Sequence, residues 1–350
     1  MDLTKPTFSD PTSITNPLFP RLPETQVIQL GTEAGDRLRF ERTQLDRTRD
    51  IVWDGRRVET AVTHFVAYTN GRLVETALDY YAQADDGSVW YFGEDVDNYE
   101  AGVVANHDGS WLAGRDGPPG MIMPAHPKVG DVFRPENIPD LVFEEVTVTA
   151  VDQTVPETRG QVSGAIVIDA RLLDGTVEEK IFAPGYGDLT ARVASKDELY
   201  HIALAVPIDA VGGPVPADLT AISNGAAGVF RTVPSRRWGQ VSASVDTMAA
   251  AWDRIRTGEI PALLEAQMST FLDDLRAAVD RRDGAATRQA SIDVSHASLD
   301  LQLRHADPED VDEARLAVWQ RQLVLDRSAR DHAGVAGDKA TISAIRDRLE

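Results

Sequence analysis

The chain has 350 residues, of which 42% are hydrophobic, and it carries a net charge of -21 and no cysteine. Its length favours two domains over one, and its acidity argues against a nucleic-acid partner, which requires clustered Lys and Arg. The lack of cysteine excludes disulfides, thiolate catalysis and zinc-thiolate sites. No run of about 18 apolar residues occurs, so the sequence predicts no transmembrane segment. Nothing in the composition indicates an oligomeric state.

The N-terminus is rich in Pro, Thr and Ser, which predicts an extended arm over residues 1–23. It has no positively charged stretch followed by an apolar run, so we expect no signal peptide in the sequence as given.

Residues 24–206 predict an antiparallel β domain, because apolar and polar residues alternate between turn signals. Five Asx-Gly dipeptides are each expected to form a type I′ hairpin turn: Asp54-Gly55, Asn70-Gly71, Asp86-Gly87, Asp108-Gly109 and Asp174-Gly175. Hairpins at such short intervals favour a meander, either a curled open sheet or a half-barrel.

Residues 207–240 are rich in Gly and Pro and predict an interdomain linker. Apolar residues recur at helical spacing from 241 to 350 and predict five helices in an antiparallel bundle. The predicted fold class is therefore α+β, with a meander sheet or half-barrel followed by a helical bundle.

The helix predicted from Ala285 to Arg304 places polar side chains between its two apolar stripes. These are Gln289, Asp293, His296 and Asp300, whereas Ser291, Ser295 and Ser298 are expected to face water. The next predicted helix has Arg315, Gln322 and Asp326 near the centre of its apolar arc. Buried polar groups are costly unless they are paired or bound to a metal, so we expect two facing rows of polar partners.

Two interpretations of these rows stay open, beside a third in which they form a catalytic site. In the first, Arg315 neutralises Asp293 or Asp300 within a buried network of ion pairs and amides. In the second, a divalent cation lies between the helices. Its ligands would be Asp293, His296, Asp300 and Asp326.

An aromatic and acidic run in the β domain has a similar ambiguity. Strict alternation along a strand puts Trp90 and Phe92 on one face and Tyr91 on the other. These rings either fill the core or line a ligand groove inside a curled sheet. In the second case the binding residues are Tyr81, Trp90, Phe92, Glu94 and Asp95, and the ligand is a small apolar molecule or a cation.

The run over residues 78–100 resembles a "DWYAQ...VWYFGED" stretch in a family of uncharacterised exported proteins of actinobacteria. Three further segments share in this resemblance: Asn16-Pro17, Met123-Pro124-Ala125-His126-Pro127 and, in the bundle, Ser298 to Arg304. The resemblance implies an extracytoplasmic location and a sheet-plus-bundle plan, and it implies no activity for any residue.

The sequence contains no Gly-x-Ser-x-Gly, His-Glu-x-x-His, phosphate-loop or Gly-x-Gly-x-x-Gly motif. We therefore predict an extracytoplasmic ligand-binding, metal-binding or interaction protein. The alternative is a carboxylate-based hydrolase, or another enzyme with its site in a cleft of the β domain.

Overall fold

The computed structural model describes residues 5–350. The chain divides into two compact units: the first holds the residues up to Glu100 and Val104–Ile208, and the second holds Ala101–Val103 and Asp209–Glu350. The first unit is an antiparallel sheet and the second is helical, which confirms the predicted α+β class.

The sheet of the first unit has fourteen strands within the described residues. They are β1 (Gln26–Glu33), β2 (Asp36–Trp53), β3 (Arg56–Thr69), β4 (Arg72–Gln83), β5 (Val89–Glu100), β6 (Val103–Asn106), β7 (Trp111–Leu112), β8 (Gly120–Met123), β9 (Val132–Ile138), β10 (Val142–Pro156), β11 (Gln161–Leu172), β12 (Val177–Ala183), β13 (Gly187–Val193) and β14 (Glu198–Val206). Neighbours follow the order β6-β5-β4-β3-β2-β1-β14-β13-β12-β11-β10-β9, and β7 and β8 both pair with β5. Consecutive hairpins thus form two halves that join where β1 pairs with β14.

All five Asx-Gly dipeptides lie between strands, as predicted. Only Asp54-Gly55 and Asn70-Gly71 have positive φ at both residues, which a type I′ turn requires. In the other three only the glycine is left-handed. Those dipeptides belong to longer connections, and loops of that length are usually built around a type I turn.

The described part of the predicted arm, from residue 5 onward, is fixed to the sheet. Ile14, Leu18 and Phe19 are buried. The Gln83 side-chain oxygen accepts hydrogen bonds from the backbone N–H groups of Thr15, at 2.9 Å, and Asn16, at 2.8 Å. Residues 1–4 of the predicted arm lie outside the described residues.

The second unit holds six α-helices in the part of the chain that is described. They are α1 (Ala217–Thr232), α2 (Trp238–Ile255), α3 (Ala262–Asp280), α4 (Gly284–Gln302), α5 (Pro308–Ala329) and α6 (His332–Leu349). In the described residues, 5–350, no helix is both long enough and apolar enough to cross a membrane.

The sequence prediction of a linker over 207–240 and of five helices was wrong, because α1 lies within that interval. Leu219, Ile222 and Val229 form a buried apolar face on α1. One of the glycines that suggested a linker, Gly225, permits close packing instead. A Cβ added to Gly225 would lie 2.7 Å from Cγ of Met248 on α2.

Helix α4 contacts α1, α3 and α5 and is therefore covered on several sides. Consequently the serines expected to face water, Ser291, Ser295 and Ser298, are buried. Their hydroxyls are satisfied locally or across helices: Ser295 donates to the Ser291 carbonyl at 2.8 Å, and the Ser298 and Ser223 hydroxyls lie 2.9 Å apart.

Candidate functional site

One face of the curled sheet, called the inner face below, is enclosed by residues from distant strands. Phe19 contacts Tyr81 on β4, with ring centroids 5.0 Å apart, and also Phe182 on β12, at 6.4 Å. Trp111 on β7 donates a 3.1 Å hydrogen bond to Glu136 on β9. Because β4 and β7 lie in one half of the sheet and β9 and β12 in the other, these contacts close the sheet around the inner face.

A β-bulge on β5 decides which side chains reach the inner face. The pairing of β4 with β5 shifts next to Gly93, so that Tyr81 lies opposite Tyr91 and Asp79 lies opposite Glu94. Gly93 has a φ of 119°, typical of the glycine in a bulge. Tyr91 and Glu94 therefore share one face although they are three residues apart.

Substitution of Gly93 by Ala tests the importance of this bulge. The new Cβ would lie 2.2 Å from the Trp111 carbonyl oxygen, so we expect the sheet unit to lose about 2–4 kcal/mol of unfolding free energy. Urea unfolding measures the loss. Gly35→Ala is the matched control, because Gly35 has a φ of 93° and nothing within 4 Å of an added Cβ. If both variants lost the same unfolding free energy, the close approach of Gly93 to the Trp111 carbonyl would not be the cause of the loss.

Three carboxyl groups, Asp79, Glu94 and Glu136, form what we call the carboxyl cluster. The Tyr91 hydroxyl donates to Asp79 at 3.0 Å. Burial raises the pKa of Asp79, and burial together with the charges of Asp79 and Glu136 raises that of Glu94 well above its ordinary value. Burial and the neighbouring Glu144 raise the pKa of Glu136 to about 7. Within residues 5–350 none of the three forms an ion pair.

Aromatic rings lie directly beside the carboxyl cluster. The rings of Tyr81 and Tyr91 stack at 4.9 Å, and Tyr91 meets Trp111 edge to face at 5.3 Å. Burial raises the pKa of both tyrosines well above 10, so their hydroxyls remain protonated donors. The inner face thus combines ring surfaces, hydroxyl donors and carboxyl groups.

Charged residues farther along the inner face are partly exposed. Arg42 and Asp188 form an ion pair at 3.4 Å, with 23% and 13% of their side chains exposed. Lys180 lies 3.0 Å from Glu144, with 18% and 15% exposed. Burial opposes the charge of Lys180, but the carboxylates of Glu144 and Glu178 hold its pKa well above the ordinary value. The inner face is therefore polar and partly exposed at these ion pairs, whereas Tyr81, Tyr91 and Trp111 beside the carboxyl cluster are buried.

The predicted ligand-binding residues divide between the two faces. Tyr81 and Glu94 lie on the inner face, while Trp90, Phe92 and Asp95 lie on the opposite face. Trp90 and Phe92 are buried core residues. Asp95 accepts a 2.7 Å hydrogen bond from the Tyr80 hydroxyl and pairs with Arg49.

Sequence reasoning missed Asp79, Tyr91 and Glu136 as members of this site. Glu136 comes from a strand distant in sequence, and no local pattern points to it. Gly93 within an otherwise alternating strand was a usable signal, because an isolated glycine there often marks a bulge.

The four predicted metal ligands of the helical unit, Asp293, His296, Asp300 and Asp326, are held in other contacts. Asp300 pairs with Arg315 at 2.9 Å, and Asp326 accepts from Gln322 at 3.0 Å. Across residues 5–350 no group of three or more His, Asp or Glu side chains is placed to hold a metal ion. The structure therefore does not form the predicted cation site.

The same helices instead contain the buried network that was the other interpretation. Arg315 joins Asp300 on α4 to Asp312 on α5, each at 2.9 Å, and Asp312 also pairs with Arg348 on α6 at 2.9 Å. All four side chains are at most 3% exposed. These ion pairs connect three helices.

An amide network lies beside these ion pairs. Gln289 and Gln322 exchange two hydrogen bonds of 3.0 Å between α4 and α5, and Gln289 also donates to Asp293 at 3.1 Å. The His296 ring lies 5.2 Å from that of Trp319. Asp293 is thus linked to an amide, and Asp300 is the residue paired with Arg315.

Comparison with known proteins gives no match: no protein-family model, no curated protein and no solved structure matches this chain.

Proposed function

We propose that the sheet unit is a binding module for a small organic cation, an amine on an apolar or aromatic body. The observation that carries this proposal is the carboxyl cluster, which faces the stacked rings of Tyr81 and Tyr91 and, in the described chain, has no ion-pair partner. A cation placed there gains both the carboxylate charge and the attraction of the ring faces.

The raised pKa values specify how such a ligand would bind. Glu136, with a pKa of about 7, is partly protonated near neutral pH, and burial and the neighbouring carboxyl groups raise the pKa of Glu94 well above its ordinary value. An ammonium group replaces these protons, so binding releases protons to the solvent. Affinity should therefore increase as the pH rises through about 7 and level off above it.

Isothermal titration calorimetry with phenethylamine and phenethyl alcohol tests the charge requirement, because the two probes share a body and differ in the ammonium group. We expect binding of the amine only, stronger at pH 8 than at pH 6. The proton release should appear as a dependence of the heat on the ionisation enthalpy of the buffer. Equal binding of the alcohol would contradict the proposal.

Neighbouring residues on opposite faces provide a matched pair of variants. Glu94→Gln keeps the shape of the inner-face side chain and removes its charge, so we expect at least a tenfold loss of amine affinity. Asp95→Asn removes a charge one residue along, on the opposite face, and should leave the affinity unchanged. Equal effects of the two variants would exclude the inner face as the site.

A carboxylate-based hydrolase is a second candidate, favoured by the pKa of about 7 at Glu136, which suits a general acid at neutral pH. Turnover of an aryl ester or aryl glycoside that is lost in Glu94→Gln and retained in Asp95→Asn would support it over simple binding. The resemblance to exported proteins would place either activity outside the cytoplasm.

A further inference from the structure

The helical unit contains a polar cleft of about 520 Å³ at the ends of four helices. Three arginines line it: Arg236 before α2, Arg282 before α4 and Arg288 in the first turns of α4. The remaining lining residues are Val233, Pro234, Trp238, Gly284, Ala285, Leu325 and Ser328. We call this the arginine cleft.

None of the three arginines forms an ion pair within residues 5–350. The chain nevertheless has more acidic residues, 56, than basic ones, 35. The acidic residue next to Arg282 is already engaged. Asp283 caps α4 and accepts hydrogen bonds from the backbone N–H groups of Ala285 and Ala286, at 3.1 and 3.0 Å.

Arg288 is held in place although it lacks a carboxylate. Its guanidinium lies 4.1 Å from the ring centroid of Phe230 on α1, and its Nε atom is buried without a hydrogen-bond partner. Burial lowers the pKa of Arg288, and no carboxylate offsets this effect. A charged group in this condition is stabilised when an anion binds beside it.

Two further arginines lie on α1 and α5, outside the lining of the cleft. Arg231 follows Phe230 in α1, and burial together with the charge of Arg231 lowers the pKa of Arg321 on α5. The Nε atom of Arg321 is likewise buried without a partner. The charges of Arg231 and Arg321 thus repel each other.

We propose that the arginine cleft binds an organic phosphate monoester with a flat apolar body. A phosphate monoester carries up to two negative charges and three acceptor oxygens. It can therefore accept hydrogen bonds from several guanidinium groups at once, which a carboxylate does less well. Trp238, Val233 and Leu325 offer an indole and aliphatic surface for the body of the ligand. This inference is independent of the amine site in the sheet unit.

Calorimetric titrations of the full chain with phenyl phosphate, inorganic phosphate and benzoate, at one ionic strength, test the proposal. We expect phenyl phosphate to bind most tightly, because it alone supplies both the phosphate and the ring. If benzoate binds equally well, the phosphate assignment is overturned. If inorganic phosphate binds equally well, the apolar body plays no part and that half of the proposal is overturned.

Two variants that each remove one positive charge test whether phenyl phosphate binds in the arginine cleft. Arg236 is exposed, so Arg236→Gln should fold normally and lower phenyl phosphate affinity about tenfold. Arg256→Gln removes the same charge just beyond the other end of α2, about 27 Å away along an 18-residue helix, and should leave affinity unchanged. Trp238→Ala should weaken phenyl phosphate but not inorganic phosphate. Equal affinities in Arg236→Gln and Arg256→Gln would refute the site.

Discussion

Replacement of Arg315 by Met is expected to destabilise the helical unit by about 3–5 kcal/mol. Arg315 is 2% exposed and neutralises Asp300, which is 1% exposed. Methionine has a similar length but no charge, so the variant would keep Asp300 buried without the guanidinium it now contacts. Urea unfolding followed by far-UV circular dichroism, which reports mainly on the helices, measures the change.

Two further variants separate charge from packing. Arg276→Met removes an arginine from the pair Arg276–Asp246, whose side chains are 45% and 61% exposed, and should cost less than about 1 kcal/mol. The double variant Arg315→Met with Asp300→Leu removes both charges and should recover a large part of the single-variant loss. A double variant as unstable as Arg315→Met alone would show that packing, rather than an unpaired charge, causes the loss.

Glu136→Gln is expected to stabilise the sheet unit at alkaline pH. The pKa of Glu136 rises from 4.5 to about 7 on folding, because of burial and then the charge of Glu144. Between these pH values the folded state binds a proton that the unfolded state releases, so stability decreases as the pH rises. Glutamine stays neutral, and the 2.5-unit difference corresponds to about 3 kcal/mol gained at pH 8.

The pH dependence distinguishes this effect from a general improvement in packing. Near pH 4 both side chains are neutral, and the stabilities of Glu136→Gln and the unmodified protein should converge. Glu179→Gln, an exposed change on β12, should alter stability little at either pH. A gain of equal size at pH 4 and pH 8 would indicate that ionisation of Glu136 is not its cause.

Local sequence patterns were sufficient to predict much of the fold. Alternation and Asx-Gly dipeptides identify the sheet, since a hairpin is specified by residues close in sequence. Helical spacing brings Asp293, Asp300 and Arg315 to inward positions and so predicts that Arg315 pairs with one of the two aspartates, of which the structure shows Asp300. Composition misled at 207–240, because the glycines that suggest flexibility, such as Gly225, can equally permit two helices to approach closely.

The candidate sites depended on tertiary structure. The single added residue of the bulge at Gly93 moves Glu94 to the face of Tyr91, and alternation alone predicts the reverse. Glu136 reaches the same place only because the sheet curls and brings β9 to β7. Likewise, the burial of Ser295 follows from the contacts of α4 with several helices. The periodicity of a sequence predicts which residues share a face of one helix or strand. The packing of the whole unit decides which other helices or strands cover that face.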